Sequence, residues 1–156
     1  MIAIVDLIDP AVRLCMLAAA LFFFVGLLTG AWKYFAIAAS PAATAPAYVD
    51  IAHRASLLYS FAALLIAQLV RLSAWSSTVN LLAAAAPLLF FALAIGGYLV
   101  HGLLNDTDNQ FRRPQRVASV TLPHSALHGF MWLLMAAEIG GVAVLIAGLL
   151  KSLRWF

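Results

Sequence analysis

Residues 14–32, LCMLAAALFFFVGLLTGAW, run uncharged from Arg13 to Lys33. Crossing the hydrocarbon core of a bilayer takes about 20 residues of helix, and this run supplies them. Helix is the form it must take, because a lone strand leaves its backbone groups without partners in lipid. A signal peptide starts in a similar way. Here, however, the apolar core is longer than a usual h-region, and the flank before it carries Asp6, Asp9 and a single Arg. The run therefore reads as a retained span.

Outward from this stretch the pattern repeats. The uncharged run 55–70 reaches bilayer length if its helix opens near Asp50 as N-cap, after the Pro/Ala/Thr linker 40–47, and closes near Leu72. A third span fits within the uncharged stretch from Leu72 to Asn105, with Pro87 expected to kink it. A fourth starts near Pro123, a residue suited to a first helical turn, and holds one charge, Glu138. The expected spans are about 12–36, 50–72, 79–104 and 123–150, which makes residues 1–156 one all-α integral membrane domain, a four-helix bundle.

Composition agrees. The 156 residues are 65% hydrophobic and only 10% charged, with a mean hydropathy of +1.03. Soluble domains carry roughly a quarter charged residues. One cysteine, Cys15, excludes an internal disulfide framework, and a net charge of +3 signals no nucleic-acid partner. The lipid bilayer is the partner that composition demands. Four antiparallel spans put Arg13, Arg71, Lys151 and Arg154 on one side and Lys33, Arg54, Arg112, Arg113 and Arg116 on the other. Only the 112–116 cluster leans on the positive-inside rule, towards a cytoplasmic third loop. The expected location is the bacterial inner (cytoplasmic) membrane. Trp32, Tyr34, Tyr48, Trp75 and Trp155 read as interfacial anchors.

All four histidines fall on the side opposite the termini. His53 opens the second span, His101 closes the third, and His124 and His128 open the fourth. His124 and His128 are one helical turn apart and face the same way, a spacing that lets two rings share a metal or one ligate while the other hydrogen-bonds. His101 carries Tyr98 three residues before it and Asn105 four after, a polar stripe on one face. Asp50, three residues before His53, is placed to fix that ring's tautomer or simply to cap the helix. Glu138, near mid-bilayer, is costly if ionised and should face the interior, where Gln68, Thr29 or another subunit could satisfy it. It reads as a site carboxyl or as a helix–helix hydrogen bond, with Gly140-Gly141 marking close helix contact. Gly26 and Gly30 form a GxxxG, a close-packing face. A small bundle has little interior room, so a cofactor site shared between subunits, and hence a homo-oligomer, is expected. No nucleotide loop, Ser-His-Asp order, CxxC or HExxH pattern is present.

The layout resembles the styrene oxide isomerases, small four-span membrane enzymes, over most of the chain and in arrangement more than identity. Phe24-Val25-Gly26-Leu27 is similar to that family's F-x-V/G-G-L stretch. Ala52-His53 follows a Pro-rich connection, Gly96-Gly97-Tyr98 lies near the end of the third span, and Asn109-Gln110-Phe111 is similar to the family's N-Q-F. The spacing from His53 to Tyr98 looks like that between the family's essential histidine and tyrosine. The resemblance implies a haem b held between subunits of a trimer, with ferric iron as Lewis acid on the epoxide oxygen of a small apolar substrate. The ring opens towards a benzylic cation, and a 1,2-hydride shift gives an aldehyde. Carried over, His53 is the haem and metal ligand and Tyr98 a donor to the epoxide oxygen.

Tyr59 stands where the family has a polar amide and Phe90 where it has a carboxylate, so Tyr59 becomes a candidate donor. The candidate catalytic set is Tyr98, Tyr59 and His101. The candidate cofactor-binding set is His53, Asp50, His124, His128 and Asn109. Other readings use the same residues. One is a b-type cytochrome with His53 or His101 paired to His124 or His128, whose low-spin iron binds small ligands poorly. Another is a non-haem metal-handling subunit, and the last a structural membrane subunit without a cofactor.

Overall fold

The computed structural model describes residues 9–155. Its helices are α1 (Pro10–Ala39), α2 (Ala47–Leu72), α3 (Ser77–Leu104) and α4 (His124–Ser152). All four are long and apolar enough to cross a membrane, and the protein is an all-α four-helix membrane bundle. Helices of 26 to 30 residues extend about 39–45 Å at 1.5 Å per residue, beyond a hydrocarbon core of ~30 Å. Their polar ends therefore overhang it. The expected spans agree with these helices to within three residues at every end; Asp6 lies outside the described residues.

Local chemistry sets the helix ends. Asp9 caps α1, its Oδ1 accepting the Ala11 N–H at 2.8 Å, with Pro10 at the first position where a missing N–H costs least. α2 starts at Ala47 behind Pro46 rather than with Asp50 as N-cap. Proline breaks the helix upstream, and Asp50 instead sits in the first turn, where its charge complements the helix dipole. Asn105 ends α3 in the left-handed conformation and returns its N–H to His101 O. α3 runs through Pro87 as one helix.

The core mixes alanines, which let membrane helices approach closely, with larger apolar side chains that fill the space between them. Ala11, Val12, Cys15, Ala19 and Phe22 of α1 meet Ala63, Ile66, Ala67 and Val70 of α2 and Ala83, Ala84, Leu88, Phe91 and Ile95 of α3. α1 packs most extensively on α2. Gly26 and Gly30 make that approach possible: Leu57 fills the space beside the first and His53 the space beside the second.

α4 is the peripheral helix. Its only buried residues are Gly141, Leu145 and Gly148. Gly141 lies against Ala83 O and the Pro87 ring. Pro87 has no N–H to give the carbonyl four residues back, so Ala83 O is the acceptor it leaves free, and glycine lets α4 come close there. Gly140, the other half of the pair, has open space beside it. At Gly148 the α2–α3 turn locks on: Ala74 N–H donates to Gly148 O at 3.0 Å and the Trp75 indole to Val144 O at 2.8 Å.

The connection between α3 and α4 contains a feature absent from the sequence reading, a small hairpin of β1 (Arg116–Val117) and β2 (Val120–Thr121). Ala118 turns it with φ of 52°. The Asp106 carboxylate stabilises the turn by accepting the Ala118 N–H at 2.7 Å.

Candidate functional site

The histidines share one end of the bundle, as expected, but the rings do not converge. Among the described residues no three His, Cys, Asp or Glu side chains are grouped to hold a metal ion.

His53 projects from the second turn of α2 across the Gly26–Gly30 groove of α1. Its Nδ1 lies 2.8 Å from Gly26 O. A carbonyl only accepts, so in the neutral ring Nδ1 carries the proton and Nε2 keeps its lone pair. The expected Asp50–His53 pairing is replaced. Asp50 binds Lys33 of α1 at 2.5 Å and Arg54 at 2.7 Å. Two cations outcompete a neutral imidazole for a carboxylate, and the backbone of α1 takes over orientation of the ring.

His101 is buried at the end of α3. Its Nδ1 meets Asp106 Oδ1 at 2.8 Å, and Tyr48 covers its face at 4.9 Å between centroids. Tyr48 is 4% exposed, so it is a packing residue and not an exposed anchor. Its hydroxyl accepts the Gln110 N–H at 2.6 Å and its ring stacks on Tyr98 at 6.1 Å. Burial pushes the Asp106 carboxyl up, but the hydrogen bonds from His101 and from the Ala118 N–H outweigh it and hold the group below the ordinary carboxylate range.

Tyr98 is half-buried on α3, beside Gly96 and Gly97, which have open space where a Cβ would stand. Tyr59 on α2 stacks on Phe91 with centroids 4.2 Å apart. Tyr59, Tyr98 and Glu138, from three helices, are each half-buried. Glu138 Oε1 is buried with no hydrogen-bond partner among the described residues. Neither expected partner serves it: Thr29 donates to Val25 O within its own helix, and Gln68 is exposed. Phe90 packs on Phe130 at 5.6 Å.

His124 and His128 contact each other edge to face at 4.0 Å and are exposed. Arg113 Nη2 lies 2.9 Å from His124 Nε2 and the Gln115 amide 3.2 Å from Nδ1. A guanidinium only donates, so the Nε2 lone pair is already in use. Asn109 shapes the loop: its Oδ1 accepts the Phe111 N–H at 2.9 Å and its carbonyl accepts from Thr107.

The arrangement holds one imidazole through Nδ1 against α1, with Tyr59 on α2, Tyr98 on α3 and Glu138 on α4. His53 and Tyr59 are six residues apart on one helix, or about 120° around it, and they face different neighbours. The Gly26 carbonyl behind His53 was legible only as a packing glycine. The Lys33–Asp50 tie and the Tyr48–His101–Asp106 group join residues far apart in sequence and had no local signal. Set against known protein families, curated proteins and solved structures, the chain matches none.

Proposed function

We propose that this chain is a membrane haem b protein of the styrene oxide isomerase type, acting in the bacterial inner membrane on a small apolar epoxide. The observation that carries the reading is the His53 ring, with Nδ1 2.8 Å from Gly26 O, a contact that in the neutral ring leaves the lone pair on Nε2. Histidines that ligate iron characteristically donate their other nitrogen to a carbonyl or carboxylate, which fixes ring orientation and raises basicity.

His53 Nε2 would hold the iron, which when ferric supplies a Lewis acid for an epoxide oxygen. The rest falls to the protein. Tyr98 is the donor to the oxygen as negative charge develops on it, with Tyr59 as second phenol in place of the family's amide. Glu138 on α4 would supply the carboxyl group that Phe90 lacks. Apolar helix walls exclude water, which otherwise would capture that cation as a diol.

His53 faces α1 and Tyr59 faces α3, which supports a site completed by a second copy of the chain. The reading therefore uses His53 of one subunit and the phenols of the next, in a homotrimer. The test is the absorption spectrum of the detergent-purified chain, as isolated and after dithionite. A Soret band that shifts on reduction is expected, lost in His53→Ala and kept in His101→Ala. A low-spin, six-coordinate spectrum would turn the assignment to a bis-His cytochrome. No Soret band after haem supplementation would sink the proposal.

A further inference from the structure

The connection between α3 and α4 forms a depression of about 250 Å³ whose lining includes Asp106, Gln110, Arg112, Arg113 and Arg116. Its charges are unevenly matched. Asp106 is taken by His101 and by the Ala118 N–H, and Arg112 pairs with Asp108 at 3.0 Å. Among the described residues Arg113 and Arg116 have no carboxylate partner. Arg113 spends one N–H on neutral His124, which orients the guanidinium without neutralising it. The depression is also well ordered by its own bonds. Gln110 N–H is held by Tyr48, and Leu122 N–H donates to Gln115 O at 2.8 Å.

We infer that this pocket binds the phosphate of an anionic lipid headgroup. Two uncompensated guanidinium groups match a phosphate through paired N–H donors, which ammonium groups do not reproduce. The position selects a lipid over a soluble anion. The loop joins two membrane helices at their ends, the level of the headgroups, and exposes Phe111 and Val120 beside the arginines, apolar side chains suited to the glycerol and upper acyl region. The inference does not rest on haem or on any reaction: the two groups that would meet the phosphate, Arg113 and Arg116, are assigned to neither.

The full-length chain in phosphatidylcholine nanodiscs containing a minor fraction of phosphatidylglycerol tests it, with native mass spectrometry counting retained lipids. Preferential retention of phosphatidylglycerol is expected. The R113Q/R116Q variant should lose that preference by about 30-fold, the value of two interfacial arginines. R113K/R116K should fall between, because charge remains while the paired donors are gone. R116Q alone, at an exposed strand position, serves if the double variant folds poorly and should lose about fivefold. Equal retention of the two lipids by the native chain would overturn the inference, as would unchanged retention in R116Q. A second arm uses inorganic phosphate: saturable, arginine-dependent binding of phosphate without any lipid preference would assign the pocket to a soluble anion and overturn the lipid.

Discussion

Replacing Gly30 with alanine strikes the contact on which the functional reading rests. A Cβ there would stand 2.9 Å from His53 Cε1 and 3.1 Å from Nδ1, against roughly 3.5–4.0 Å for an ordinary contact. The ring must retreat by more than half an ångström, which takes the Nδ1–Gly26 O bond of 2.8 Å to the edge of hydrogen-bonding range, about 3.2 Å. Overpacking costs about 1–3 kcal/mol and the lost bond about 0.5–1.5 kcal/mol. Alanine also improves helix propensity by up to ~1 kcal/mol, which would mask part of the effect. Gly96→Ala removes this ambiguity: it gains the same propensity and meets nothing within 4 Å. The two variants should therefore differ by about 2–3 kcal/mol, roughly 30- to 150-fold in the unfolding constant. Reversible unfolding of the purified chain in mixed micelles reads the difference directly. Adding His53→Ala to each closes a double-mutant cycle, in which the Gly30 penalty should largely vanish because the clashing ring is gone. Equal stability of the two glycine variants, or a penalty that survives in the His53→Ala background, would refute the packing of His53 on α1.

Other outcomes follow from the same geometry. Tyr98→Phe should keep the Soret band and lower turnover of a styrene-type epoxide by about 100-fold, as loss of one oxyanion donor does, with Tyr59→Phe smaller; unchanged turnover in both would remove the phenols from the site. Glu138→Gln should leave stability equal or higher, because Oε1 has no partner to lose and a mid-bilayer charge is costly; a clear loss in micelle unfolding would mean an unseen partner. Asp106 is held below its ordinary range, so its contribution is complete above the unfolded value of about 3.9 and is lost as pH falls through the lower folded value. Exchange protection of the Ala118 amide should therefore persist from neutral pH to about pH 4 and fade below, and Asp106→Asn should weaken it at every pH. Protection insensitive to both acid and substitution would refute the contact.

The bundle was legible because charges mark its boundaries: an uncharged run between Arg13 and Lys33 has no alternative reading in lipid. What escaped depended on atoms without a sequence signature. Asp50 and His53 stand at a spacing that suits a pair, yet Lys33 from another helix captures the carboxylate. The partner of the ring is a backbone carbonyl, which every residue possesses. The hairpin was invisible for a different reason. Its turn contains neither Gly nor Asn, and Ala118 is held at positive φ by Asp106, a side chain twelve residues earlier. Tyr48 looked like an interfacial anchor because composition gives its depth in the membrane but not the ring it covers.

The buried residues of α4 all lie in its second half, so its first half, held by Phe130 on Phe90 and by the loop contacts of His124, is the arm that a lever motion would move. The first buried residue is Gly141, and the arm from there back to His124 is about 26 Å at 1.5 Å per residue. A swing of about 10° around that fulcrum carries the far tip roughly 4–5 Å on this geometry, while the contact with Pro87 hardly changes. At the level of Tyr98, eleven residues along α3 from Pro87, the same swing amounts to about 3 Å. Such a swing would change the clearance for a molecule arriving sideways from the lipid without opening the core or disturbing the α1–α2 seam that grips His53.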